Sequence, residues 1–171
     1  GTEGSQIITS GEDGLLILWD VNTGQEIQRY AAHTAAVKDV AFSPDGARMV
    51  SGGENDEAFL WDMETSTATP LSPDSNVSAI DFNADGTLIV AGDDDGTLNI
   101  WPLATLVRSA FALAPVEESF TVTITDLDTH PTRSDRVIVG FSNGIARIYD
   151  LANVTSGPVR SFAAAEGRPM R

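Results

Sequence analysis

HTAAVKDVAFSPDGARMVSGGENDEAFLWD, residues 33–62, decides the fold. Its opening run, with apolar Val37, Val40 and Phe42, is strand-like. SPDG at 43–46 is a turn, because proline presets φ and Asp-Gly supplies the bend. ARMVSGG is then a second strand, residues 54–56 a polar turn, and AFLW a third strand that closes on Trp61 and Asp62.

The same scheme recurs on both sides of this stretch. Residues 74–112 read NVSAIDF, NADG, TLIVAG, DDDG and TLNIW, and residues 119–163 include TVTITDLD, THPTRSD, RVIVG, FSNG and IARIYD. Residues 5–31 keep only the later parts: QIITSG, EDG, LLILWD and EIQRYA. The closing aromatics Trp19, Trp61, Trp101 and Tyr149 are spaced by 42, 40 and 48 residues, the longest gap holding the polar insertion APVEES at 114–119. Fourth strands are expected at 25–31, 66–71, 106–112 and 158–163. LATLVRSAFALA at 103–114 comes nearest to helical periodicity and reads as a strand with a flexible exit. An all-β chain is therefore expected over 1–171, in about four units of four antiparallel strands (5–31, 33–71, 74–112 and 119–163).

Composition narrows the function classes. With 42% hydrophobic residues in 171, the chain is globular and the size of about one domain. It has no apolar run of the ~20 residues that a membrane helix needs. GTEGSQIITSGEDG at the start has neither the basic end nor the apolar core of a signal peptide, and residue 1 is not Met, which suggests a truncated N-terminus. The absence of cysteine excludes disulfides, thiolate metal sites and cysteine nucleophiles. Against 25 acidic side chains stand 10 basic ones, giving a net charge of −15, and Lys38 is the sole lysine. Such a surface repels nucleic acid and anionic lipid alike. A cytoplasmic location is the expectation.

These repeats resemble the WD-repeat (WD40) family of β-propellers, whose units run ~40–45 residues with four strands per blade. Propellers close with about 4–8 blades. Residues 5–31 begin at a second strand, and AAAEGRPMR after Phe162 is too short and polar to supply a missing one, so a partial propeller is expected. The resemblance also implies a buried hydrogen-bond network of His, Ser or Thr, Asp and Trp, since a buried indole N–H needs an acceptor. By position the second unit offers His33, Ser51, Asn55 and Trp61, with Asn55 where the family prefers Asp, so that network is expected to lack its charge. The first unit offers Thr9, Asp13 and Trp19. The third keeps Asp95 and Trp101 but has Pro73 and Ala91, and the fourth has Val139, Asn143 and Tyr149. The last two units are expected to rely on apolar packing.

Several stretches carry the outline of chemistry. Asp81 to Gly86 matches half a calcium loop, but its twelfth position is Gly92 and its flanks are strands, so it reads as a turn. Asp93-Asp94-Asp95 reads as a solvated charged turn. His33 and His130 have no metal-ligand spacing, and no nucleophile elbow is present, so no metal, cofactor or catalytic residue is expected. SGEDG, SGGEND and AGDDDG follow strands without opening helices, and their acids would repel a phosphate. What remains is a binding surface. The resemblance places a docking face where the turn before the third strand meets the start of the first. That face is Glu12, Glu54, Asp94 and Ser142 with Ala36, Lys38, Asn76, Ser78, Thr123 and Thr125. It is small, polar and acidic, without the Trp, Tyr or Arg favoured at interaction hot spots. The function expected is a non-catalytic protein-interaction scaffold for a protein or peptide partner, basic in character. The alternatives are a sensor or regulatory propeller attached to a catalytic domain outside these residues, or a propeller enzyme, which would need inward acids or histidines from several blades.

Overall fold

A computed structural model describes residues 5–113 and 122–163; the insertion at 114–119 and the first residues of the fourth unit lie outside the described residues. The first sheet has three strands, β1 (Gln6–Ser10), β2 (Leu15–Asp20) and β3 (Glu26–Ala31). The second has four: β4 (Val37–Phe42), β5 (Arg48–Gly53), β6 (Ala58–Asp62) and β7 (Thr67–Pro70). The third is β8 (Val77–Phe82), β9 (Leu88–Asp93), β10 (Thr97–Pro102) and β11 (Ser109–Ala112). The fourth is β12 (Ile124–Thr129), β13 (Arg136–Phe141), β14 (Ile145–Asp150) and β15 (Arg160–Ala163). Every pairing is antiparallel between consecutive strands. These are the blades of a partial β-propeller. The sole helical turn among the described residues is Val154–Ser156, and no helix there is long and apolar enough to cross a membrane.

Turn chemistry sets the hairpins. Gly46 and Gly86 stand at φ 70 and 69, the left-handed region that glycine enters without a Cβ penalty. In each turn the glycine N–H donates back, to Ser43 O or Asn83 O, at 2.8 Å. Asp85 Oδ1 accepts the Thr87 N–H at 3.1 Å, so the half calcium motif is a hairpin.

Alternation then buries one face of each sheet against the next. Leu16, Leu18 and Tyr30 meet Val37, Met49 and Trp61 between the first two sheets. Val50, Ala58 and Leu60 meet Val77, Ile80 and Trp101 between the second and third. Val90, Leu98 and Ile100 meet Ile124, Leu127, Val137 and Tyr149 between the third and fourth. Each fully buried side chain of this size contributes roughly 1.5–3 kcal/mol. The strands β4, β8 and β12 lie next to one another and form the inner edge of the array. Each carries a bulge at its second residue, between Val37 and Asp39, Val77 and Ala79, and Ile124 and Asp126. Such a bulge leaves one residue unpaired and turns its side chain aside. Those residues are Lys38, Ser78 and Thr125.

Candidate functional site

The three bulges lie at one rim of the array. There the turn after the second strand of each complete sheet is clamped to the entry of its inner strand by one backbone bond. Glu54 N donates to Ala36 O, Asp94 N to Asn76 O and Ser142 N to Thr123 O, each at 3.0 Å. The clamp sets Glu54 and Asp94 beside the bulge residues.

Lys38 Nζ reaches Glu54 Oε1 at 2.8 Å, with both side chains about half exposed. The Glu54 hydrogen bond and charge, with Glu12 adding to them, hold the Lys38 ammonium above its ordinary range. Asp94 is fixed from two sides, by Ser75 Oγ at 2.5 Å and Asn76 Nδ2 at 2.9 Å. Two clefts share the Lys38–Glu54 pair as a wall. One, of about 290 Å³, is lined by Lys38, Glu54, Asn76, Val77, Ser78 and Asp94. The other, of about 410 Å³, is lined by Glu12, Ala35, Ala36, Lys38 and Glu54. The rim of the first three sheets thus presents three carboxylates around one ammonium. On the fourth sheet, Ser142 Oγ accepts the Thr123 N–H at 3.1 Å and Thr125 donates to Gly140 O at 3.2 Å. Those three residues line neither cleft.

Beneath the rim the sheets are braced unequally. In the second, Ser51 Oγ accepts the Trp61 indole N–H at 2.8 Å and lies 2.7 Å from His33 Nε2. Asn55 bonds directly to none of these three residues, which corrects its place in the expected network. It sits at φ 62 and donates from Nδ2 to Thr34 Oγ1 at 3.1 Å. The acid is Glu57 instead, so the brace is not without charge. Glu57 holds Thr34 N at 2.7 Å and Thr34 Oγ1 at 2.8 Å, and its Oε2 is 3.4 Å from His33 Nδ1. That last separation is long for a hydrogen bond and acts as electrostatic orientation. Burial lowers the His33 pKa despite the opposing pull of Glu57. A neutral ring with its proton toward Glu57 accepts the Ser51 hydroxyl at Nε2, leaving Ser51 Oγ free to accept from Trp61.

The other sheets differ. Trp19 donates to Thr9 Oγ1 at 2.9 Å, while Asp13 caps its own turn by accepting Leu15 N at 3.2 Å, outside that pair. Trp101 donates across the interface to Leu71 O at 2.9 Å. Asp95 likewise stays in its turn, accepting Thr97 N at 3.1 Å. The run Asp93-Asp94-Asp95 is not a solvated turn, because Asp93 ends β9 and is only 1% exposed. Its carboxyl accepts Thr97 N at 2.7 Å and Asn99 Nδ2 at 2.9 Å. Burial, then the adjoining Asp95, pushes Asp93 up to about 7, and their shared proton holds Asp95 below the usual carboxylate range. In the fourth sheet Asn143 Oδ1 accepts Ile145 N at 3.2 Å, and Val139 and Tyr149 are buried in apolar packing.

Two further carboxylates tie sheet to sheet. Asp39 Oδ2 accepts Ile80 N at 2.8 Å, and Asp81 Oδ2 accepts the Thr129 hydroxyl at 2.8 Å. Burial raises both pKa values. A lone acid beyond the bulge of each inner strand, among apolar neighbours, was the signal. Among the described residues no group of three or more His, Asp or Glu is placed to hold a metal ion.

Residues 24–62 and 65–102 match the family model described as WD domain, G-beta repeat. Each matched segment runs from the outer strand of one sheet through three strands of the next. Among curated relatives, the guanine nucleotide-binding protein subunit beta-2 of Nicotiana tabacum is 27% identical over 96% of this chain and 46% of its own length. The small ribosomal subunit protein RACK1 of Candida albicans is 28% identical over 60% of this chain and 35% of its own. A periodic tryptophan protein 2 homolog of Neurospora crassa is 34% identical over 54% of this chain and 11% of its own. The chain therefore spans less than half the length of these relatives.

Proposed function

The chain belongs to the WD-repeat family, and on that premise we propose that it is a non-catalytic scaffold whose rim captures a basic protein or peptide. The observation that carries this is the pair of adjoining clefts in which Glu12, Glu54 and Asp94 surround Lys38. Asp94 is already oriented by Ser75 and Asn76, so little side-chain freedom is lost on engaging a cation. Two of the relatives are named as subunits of assemblies, in keeping with a part that works by contact.

A net charge of −15 steers a basic partner inward and repels a polyanion. Both effects fade with salt, as the Debye length is about 10 Å at 0.1 M and ~3 Å at 1 M. DNA and RNA are accordingly no partners in this proposal, nor is a membrane surface, and we place the protein in the cytoplasm. The test is stopped-flow capture of an arginine-rich decapeptide by the whole chain and by its Glu54→Lys, Asp94→Lys variant. Association is expected to slow by roughly tenfold or more on reversal, and to slow with salt for the parent chain. An unchanged rate, or tight nucleic-acid binding at physiological salt, overturns the proposal.

A further inference from the structure

Between the outer halves of the third and fourth sheets runs a groove of about 480 Å³. A change of closing aromatic accompanies it. In the third sheet Trp101, fifth in β10, donates to the carbonyl of Leu71, the residue that follows the outer strand β7. At the next interface Tyr149 is fifth in β14, and Leu113 follows the outer strand β11. The phenol does not make the matching bond. Arg147, two residues earlier in β14, takes the Leu113 carbonyl at 3.3 Å instead.

Two polar side chains of this groove have capacity to spare. Arg147 is half-buried, with its guanidinium 5.2 Å from the centroid of the Phe141 ring. It has no carboxylate partner among the described residues, in a chain with 25 acidic side chains. Tyr149 is only 2% exposed, and its hydroxyl makes no hydrogen bond among the described residues. Its oxygen is not sealed off either, so the groove is where it can find an acceptor. The walls around both are apolar, from Phe111, Leu113, Val154 and Pro158.

The third feature is a strand edge. Residues 110–113 all line the groove. Successive side chains of a strand point to opposite faces, so four in a row mean that the groove follows the backbone edge. The strand β11 ends its sheet, which leaves alternate N–H and C=O groups facing outward. Ala110 and Ala112 are exposed and small, so another backbone can come close.

We propose that this groove captures an extended peptide that adds a strand to β11 and sets one carboxylate, from Asp or Glu, against Arg147 and Tyr149. A carboxylate suits the fork of a guanidinium and accepts a phenol hydroxyl as well. The period of two fixes the rest of the pattern. Side chains two residues before and after the acid share its face, so they are apolar and pack on Phe111 and Val154. The net charge of −15 opposes a polyanion, so the acid stands alone in an otherwise uncharged stretch. The site is separate from the rim, and its partner carries the opposite charge.

The test is a titration of the whole chain with the end-blocked peptide Ser-Val-Thr-Glu-Thr-Val-Ser, followed by backbone amide chemical shifts. The amides of β11 are expected to move, and replacing the peptide's Glu by Gln should weaken binding about tenfold. Arg147→Gln should abolish that preference for Glu over Gln. Tyr149→Phe should weaken binding about fivefold at an unchanged melting temperature, because its hydroxyl makes no bond in the free chain. The Glu54→Lys, Asp94→Lys variant should take up this peptide as the parent does, so a failure of capture at the rim leaves these results untouched. No shift in β11 up to about 1 mM peptide overturns the proposal. So does equal affinity for the two peptides, or a preference for Glu that survives Arg147→Gln. Tighter binding once residues 114–121 are replaced by Gly and Ser would show that the chain's own insertion holds the groove, and overturns it too.

Discussion

The second and third sheets share strand order, bulge position and turn clamp, yet they are held from within by different chemistry. The second closes on a neutral relay, with Ser51 between His33 and Trp61 and Glu57 orienting the imidazole. The third has Ala91 at the serine position, so Trp101 turns to a backbone carbonyl of its neighbour, and the buried Asp93 carboxyl, raised to about 7, accepts from Thr97 and Asn99. A propeller sheet needs its indole N–H and turn amides satisfied, and more than one residue set achieves this. The difference lies in how each set fails.

The largest effect should come from removing the indole of the second sheet. Trp61→Ala deletes a buried ring, which alone costs about 3–5 kcal/mol. It also strips Tyr30 of its edge contact at 5.5 Å and Ser51 of one of its two partners. Tyr149→Ala removes a ring packed mainly against apolar neighbours and should cost less. Equal losses of melting temperature would show that the relay adds nothing to packing.

The third sheet should respond to pH instead. Asp93 has a folded pKa of about 7 against 3.8 for an unperturbed carboxyl. Between those values the native state holds a proton that the unfolded chain has released, so stability falls as pH rises from about 4 to about 7 and is unaffected by this group beyond. Asp93→Asn cannot ionise. Its carbonyl keeps the Thr97 N–H, and a turn of the Asn99 amide lets the unpartnered Asn99 Oδ1 accept from the new amide. The fall over that pH window should therefore shrink in the variant, read as the denaturant midpoint against pH. In the second sheet Gly53 holds the equivalent place, so Ser51→Ala should lower stability without creating any such fall. A full slope retained by Asp93→Asn would remove Asp93 from this account.

Glu57 and Asn55 separate the two readings of the second sheet's brace. Glu57→Ala releases Thr34 and leaves His33 unoriented, a loss of about 1–3 kcal/mol. Asn55→Ala breaks one exposed bond to Thr34 and should cost under about 1 kcal/mol, apart from the strain of alanine at φ 62. Asn55→Gly removes that strain and isolates the bond. If it destabilises as much as Glu57→Ala, the acid has been assigned to the wrong residue.

Much of this was legible in the sequence, for identifiable reasons. A period near forty residues, the SPDG and NADG turns and the closing aromatics place the strands, because hairpin geometry is local. The identity of the acid was not legible. Asn55 and Asp56 both stand at positive φ, and that excursion brings Glu57, two residues on, to His33. The burial of Asp93 was hidden for a related reason, since β9 runs to Asp93 and draws it under the turn. The bulges in β4, β8 and β12 leave no mark in composition, though they turn Lys38, Ser78 and Thr125 toward the rim. Position alone grouped the rim residues; the clefts gather those of the first three sheets and leave out Thr123, Thr125 and Ser142.

The smallest stability effect should come at the rim, where the buried braces give way to solvent. Lys38 and Glu54 are 48% and 46% exposed, and an ion pair so placed contributes about 0–1 kcal/mol. Lys38→Met should therefore leave the melting temperature nearly unchanged. Its effect on capture should have the opposite sign to that of the Glu54 and Asp94 reversals. Without the ammonium, Glu12, Glu54 and Asp94 face a basic peptide unopposed, and Glu54 has no internal cation to release first. Association of the arginine-rich decapeptide at 0.1 M salt should quicken, and the gain should disappear near 1 M. Slower capture by Lys38→Met would mean that the charge of the rim does not steer the peptide, and the proposed basic partner would fall with it.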